Sequence, residues 1–134
     1  IIVLIVLLSF IIRPVLVDII QFRAYCLSKK GTTEDFPFDN KTLVFKVVGK
    51  MYALCDVDNF RSYNLKCDPE LAIELREEFS GINAGFHMNK KHWNTIDVVS
   101  DVDDKLAKKM IDQSYNLVVK GLRKKDREKL MQDA

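Results

Sequence analysis

Thr42-Leu43-Val44-Phe45-Lys46-Val47-Val48-Gly49-Lys50-Met51-Tyr52-Ala53-Leu54-Cys55-Asp56 decides the fold class of this chain. Two runs rich in β-branched and aromatic residues flank Gly49-Lys50, and a glycine-containing pair between such runs marks a tight β-hairpin. With Gly49 and Lys50 as the loop residues, Val47 is expected to face Tyr52, and Phe45 to face Leu54, on the core side. Lys46 then faces Ala53, and Val44 faces Cys55, on the other side.

Working outward, Arg61 to Cys67 reads as a third strand, with Tyr63, Leu65 and Cys67 alternating with Ser62, Asn64 and Lys66. One sheet face is therefore expected to be apolar and the other to carry Lys46, Asn64 and Lys66. Asp68-Pro69-Glu70 opens a helix: a capping aspartate, proline at the first helical position and an acid in the first turn. Leu71, Leu75 and Phe79 form its apolar stripe before Ser80-Gly81. Upstream, Asp18 caps a first helix in which Ile19, Phe22, Cys26 and Leu27 recur at helical spacing until Gly31. Thr32 to Asn40, with Phe36-Pro37-Phe38, reads as an extended connector, because proline holds the preceding residue in extended geometry.

Downstream, Trp93 to Val99 is expected as a fourth strand, with Ile96 and Val98 on one side and Trp93, Thr95 and Asp97 on the other. Asp101 or Asp103 caps a last amphipathic helix carrying Leu106, Met110, Ser114, Leu117 and Val118, which ends at Gly121. Helix, antiparallel meander, helix, strand, helix predicts an α+β domain with helices packed on one face of an antiparallel sheet.

Composition agrees with a single core. The 134 residues are 48% hydrophobic and 30% charged, which excludes a disordered chain and a disulfide-dependent miniature fold. Cys26, Cys55 and Cys67 form no CxxC pair, so buried, reduced thiols and a cytoplasmic setting are expected. The net charge of +2 is unevenly spread. From Asp104 to the end there are nine Lys/Arg against five Asp/Glu, so residues 123–134 read as a basic C-terminal tail, diluted by its own acids.

Residues 1–16 stand apart as an apolar extension. Ile1 to Ile12 is apolar except for Ser9, and twelve helical residues span roughly 18 Å against a hydrocarbon core of about 30 Å. A shortened membrane anchor, a clipped signal segment and translated sequence upstream of the true start all fit; the last is preferred, because Val17-Asp18 opens a well-formed helix and valine codons can serve as bacterial starts. The domain is expected over residues 17–122, with no membrane association for residues 17–134.

The most distinctive chemistry lies in Gly85-Phe86-His87-Met88-Asn89-Lys90-Lys91-His92-Trp93-Asn94-Thr95. Both histidines and the single tryptophan occur here without apolar periodicity, as in a polar loop entering a strand. The chain has no GxSxG, GxGxxG or GxxxxGK[ST] motif. His87 and His92, with Cys67 and Asp97 as conceivable partners, lack the spacing that fixes a metal geometry, so no metal or other cofactor is expected. No activated nucleophile or acid/base pair can be named, and no enzymatic role is expected. If Trp93 shares the open sheet face with Lys46, Asn64 and Lys66, with His87, Asn89, Lys90, Lys91 and His92 at its rim, base stacking and phosphate contacts become available. Nucleic acid is thus the first expected partner. The alternative is an interaction module holding a small anionic ligand or a protein partner in the same cleft.

Phe36-Pro37-Phe38, Val44-Phe45-Lys46-Val47, Asn64-Leu65-Lys66-Cys67-Asp68-Pro69 and the Gly85 to Thr95 stretch resemble the MmcQ/YjbR family of small bacterial proteins. Phe22-Arg23-Ala24-Tyr25-Cys26-Leu27 and Asp112-Gln113-Ser114-Tyr115 agree as well, so the likeness runs in order over about residues 17 to 122. It implies a CyaY-like fold, described as a double-wing arrangement, and the customary label of DNA binding, which is an analogy of fold. The apolar extension has no counterpart in the family pattern. A frataxin-type iron role is not expected either, since the first helix carries Asp18, Arg23, Lys29 and Lys30 in place of an acidic ridge.

Overall fold

The computed structural model describes residues 18–132, so the expectations for residues 1–16 lie outside the described residues. In chain order the elements are α1 (Ile19–Leu27), β1 (Thr32–Asp35), β2 (Thr42–Val47), β3 (Lys50–Asp56), β4 (Ser62–Lys66), α2 (Pro69–Glu78), β5 (Ile82–Ala84), β6 (Trp93–Asp97), α3 (Asp104–Lys120) and α4 (Lys124–Gln132). The six strands form one antiparallel sheet in the order β1-β2-β3-β4-β6-β5. The fold is α+β, as the sequence pattern predicts.

Side-chain acceptors start the helices where expected. Asp18 accepts from the Gln21 N–H at 2.8 Å, Asp68 from Leu71 at 3.2 Å, and Asp103, rather than Asp101, from Leu106 at 2.8 Å. One face of the sheet, carrying Phe45, Val47, Cys55, Tyr63, Leu65 and Ile96, packs against Phe22 and Cys26 of α1, Leu75 of α2, and Met110, Ile111 and Val118 of α3. Ser114 lies fully buried within this core. Its hydroxyl donates to the Tyr52 carbonyl at 2.5 Å and accepts the Lys66 N–H at 2.9 Å, so burial leaves it satisfied.

The hairpin register departs from expectation. Its turn residues are Val48 and Gly49, with φ of 49° and 74°, the doubly left-handed backbone of a type I′ turn. Val47 therefore pairs with Lys50 and Lys46 with Met51. An irregularity beyond Phe45 then pairs Phe45 with Ala53, Val44 with Leu54 and Leu43 with Cys55. The extra residue in β3 places both Tyr52 and Ala53 in the core and turns Leu54 to the opposite face. The expected pairs Val47 with Tyr52, Phe45 with Leu54, Lys46 with Ala53 and Val44 with Cys55 are all replaced.

Three elements add to the expected set. Thr32–Asp35, read as connector, is an edge strand along β2; Ile82–Ala84 is the opposite edge, along β6. Residues 124–132 of the expected tail form α4, whose Leu130 joins the core.

Candidate functional site

Strand alternation assigns the face away from the helices. Val44 and Lys46 of β2, Leu54 and Asp56 of β3, Asn64 and Lys66 of β4, and Trp93 and Thr95 of β6 point there. Trp93 is not an open plate on it. Only 7% of the residue is exposed, and it forms a second small core with Val44 and Leu54, flanked by Met51 and by Met88 from the loop before β6. The expected stacking surface is thus the anchor of that loop, because an exposed tryptophan loses more by remaining wet than by packing on these apolar neighbours.

The loop is held from several sides. Phe86 N–H donates to Thr95 Oγ1 at 2.8 Å, and Thr95 Oγ1 donates to Asn64 Oδ1 at 2.5 Å. Lys90 Nζ donates to the Gly85 carbonyl at 2.9 Å, so this lysine closes the loop on itself. Asn89 Oδ1 accepts the N–H groups of Lys91 and His92 at 2.9 and 3.2 Å, which makes Asn89 a turn residue. Arg76 of α2 donates to Asn94 Oδ1 at 2.6 Å, to the Trp93 carbonyl at 3.2 Å and to the Lys90 carbonyl. His87 takes φ 58°, and its ring centroid lies 4.0 Å from that of Phe86.

Among the candidate residues, then, Lys46, Lys66 and Trp93 share one face, but Lys46 is paired with Asp35 at 3.4 Å and the tryptophan ring is covered. Lys91 is exposed and His92 half-buried. Of these candidates, only Asn64 and His87 border a groove on this face, a depression of about 610 Å³. Its floor is the open face of β2, β3 and β4. Phe38 and Asp39 from the segment before β2, Phe86 and Met88 from the loop before β6, and Arg61 just before β4 also line it.

Phe38 and Phe86 are 65% and 67% exposed, so two large apolar rings border the groove without a core to bury them. Sequence reasoning passed over Phe38, Asp39, Asp56, Arg61 and Phe86 as site residues. The available signal was phenylalanine in two loops, Phe36 and Phe38 before β2 and Phe86 before β6. Asp39 lies below the usual carboxylate range, because the backbone N–H groups of Thr42 and Lys41 favour its charged form. The thiols shift the other way: burial pushes Cys55 up to about 12 and Cys67 up to about 11. Cys26 is likewise raised by burial. None is poised as a thiolate.

A family model described as YjbR matches residues 27–117. The chain is 32% identical to the uncharacterised YjbR of Escherichia coli strain K12 over 109 residues, 81% of this chain and 92% of the relative. It is 34% identical to the uncharacterised YbdF of Escherichia coli O157:H7 over 96 residues, 71% and 79% of the two chains. The crystal structure of Deinococcus radiodurans protein DR2400 superposes with a TM-score of 0.78 at 39% identity, covering 84% of this chain and 87% of that one. A crystal structure of a Pseudomonas syringae protein gives a TM-score of 0.64 at 30% identity, covering 75% and 97%. With the family pattern spanning most of the sequence and the same fold in solved relatives, this chain belongs to the YjbR family.

Proposed function

We propose that this domain is a binding module rather than a catalyst, and that it holds a small ligand with an anionic group and an apolar body in the groove between Phe38 and Phe86. One observation carries the reading: two exposed aromatic rings, Phe38 and Phe86, line the same groove as Arg61, whose guanidinium has no ion pair and no hydrogen bond among the described residues. A guanidinium offers five donors in a planar fork and is matched by a carboxylate or phosphate. The volume lies within the range of small-ligand sites.

A nucleic-acid role has less support. Its stacking residue is covered, and Lys46 and Lys90 are engaged with Asp35 and Gly85.

Thermal melting in the presence of small aromatic carboxylates, with wild type and Arg61→Ala, tests the reading, since a ligand selective for the native state raises its melting temperature. A rise in wild type that is lost in Arg61→Ala is expected. No rise with any carboxylate, together with salt-sensitive binding of single-stranded DNA or RNA, would return the function to nucleic acid.

A further inference from the structure

Arg61 is not the only charge in the groove; Asp39 and Asp56 line it as well. Each aspartate is fixed by backbone donors. Asp39 Oδ1 accepts from the N–H groups of Lys41 and Thr42 at 2.9 and 2.6 Å, and its Oδ2 accepts the Thr42 hydroxyl at 3.1 Å. Asp56 Oδ1 accepts from Asp58 and Asn59 at 2.8 and 3.0 Å, while its Oδ2 has no donor among the described residues. Two carboxylates therefore line the groove with one guanidinium, so a ligand that carries a cation beside its anion gains a charge partner that a simple anion lacks. The ladder places these groups together: Thr42, which Asp39 holds, pairs with Asp56 across β2 and β3, and Arg61 immediately precedes β4.

Resting on the groove reading above, we propose that the ligand is a zwitterion with an apolar side chain, of the class of the free aromatic α-amino acids. Its carboxylate is held by Arg61, its ammonium by Asp56 Oδ2 with Asp39 adding to the field, and its ring lies against Phe38 and Phe86. Each sign in the groove then meets its opposite, and the exposed rings gain an apolar partner. Among the described residues no such pairing of Arg61 with either aspartate occurs within the protein itself.

Calorimetric titration with L-phenylalanine, 3-phenylpropionate and 2-phenylethylamine separates the possibilities, because these probes carry both charges, the anion alone and the cation alone. Phenylalanine is expected to bind roughly tenfold or more tighter than either analogue, the scale of one charge-assisted hydrogen bond. Asp56→Asn keeps an Oδ1 acceptor for the Asp58 and Asn59 N–H groups, so the fold is retained and an unchanged melting temperature verifies it. That variant should bring phenylalanine down to the affinity of 3-phenylpropionate and leave the latter no weaker. If 3-phenylpropionate binds wild type as tightly as phenylalanine does, the zwitterion is overturned and the anion-binding groove stands. If none of the three binds, the zwitterion and the groove reading fail together.

Discussion

Thr95 Oγ1 donates to Asn64 Oδ1 at 2.5 Å while accepting the Phe86 N–H at 2.8 Å, so one buried hydroxyl ties the loop wall of the groove to the sheet floor. Thr95→Val removes both bonds at nearly constant shape. Leaving the Phe86 N–H and the Asn64 amide oxygen without this partner should cost about 1–3 kcal/mol. Denaturant unfolding measures the loss. Amide exchange at Phe86 should accelerate more than exchange within β3, since only the loop loses its tether.

Leu65 and Lys66 test the assignment of faces. Leu65 is 2% exposed beneath α3, so Leu65→Ala should cost roughly 2–5 kcal/mol through the cavity it leaves. Lys66→Ala, on the opposite face, should cost less than about 0.5 kcal/mol. Equal losses in chemical denaturation would mean that β4 is turned the other way.

The alternation of Tyr63 and Leu65 with Ser62, Asn64 and Lys66 was readable because a strand half-buried against helices must follow the period of its own pleat. The hairpin was not readable to the same degree. Val48 is β-branched, and nothing in its local preference favours φ 49°; pairing of β2 with β3 imposes it, and the register of the hairpin follows from that turn together with the irregularity beyond Phe45. Thr32–Asp35 and Ile82–Ala84 escaped detection because each is short and lies at a sheet edge, where pairing with one neighbour determines the strand more than composition does. At the site, the polar loop and the open face were legible from His87 and Asn64. The groove was not, since Phe38 and Arg61, 23 positions apart, come to line one depression only once β2, β3 and β4 are paired.

Asp101 links the start of β5 to the approach to α3. Its carboxylate accepts the Gly81 N–H at 2.8 Å and the Ser80 N–H at 2.9 Å, and these backbone bonds hold it below the usual aspartate range. A carboxyl depressed in the folded state adds stability above its unfolded value, about 3.9, and the benefit disappears as pH falls through the lower folded value. Asp101→Ala should therefore be less stable than wild type at neutral pH, with the gap narrowing in melts below about pH 4.

The cysteines should react in the order of their exposure. Cys67 is half-buried with its thiol pushed up to about 11, whereas Cys26 and Cys55 lie in the core. At pH 8, an aromatic disulfide reagent should label Cys67 slowly and the other two only on unfolding. Rapid modification of all three in the folded protein would contradict the packing between α1 and β3.

Trp93 separates a packing role from a recognition role most directly. Its ring contributes to the small core formed with Val44 and Leu54 and flanked by Met88, so Trp93→Ala should cost about 3–5 kcal/mol of stability, the scale for removing a buried aromatic side chain. A base-stacking tryptophan would instead be lost with little effect on folding and with a deficit of about 1–3 kcal/mol in nucleic-acid binding. As the single tryptophan of the chain, it also reports on itself. Native fluorescence should be blue-shifted and poorly quenched by acrylamide, and should become accessible when the loop is loosened by Thr95→Val. A wild-type tryptophan quenched as fast as in the denatured chain, with Trp93→Ala melting at the wild-type temperature, would mean that the ring stands open on the sheet. Loss of stability with Trp93→Ala and partial recovery with Trp93→Phe is the expected pattern, because the smaller ring refills much of the space between Leu54 and Met88.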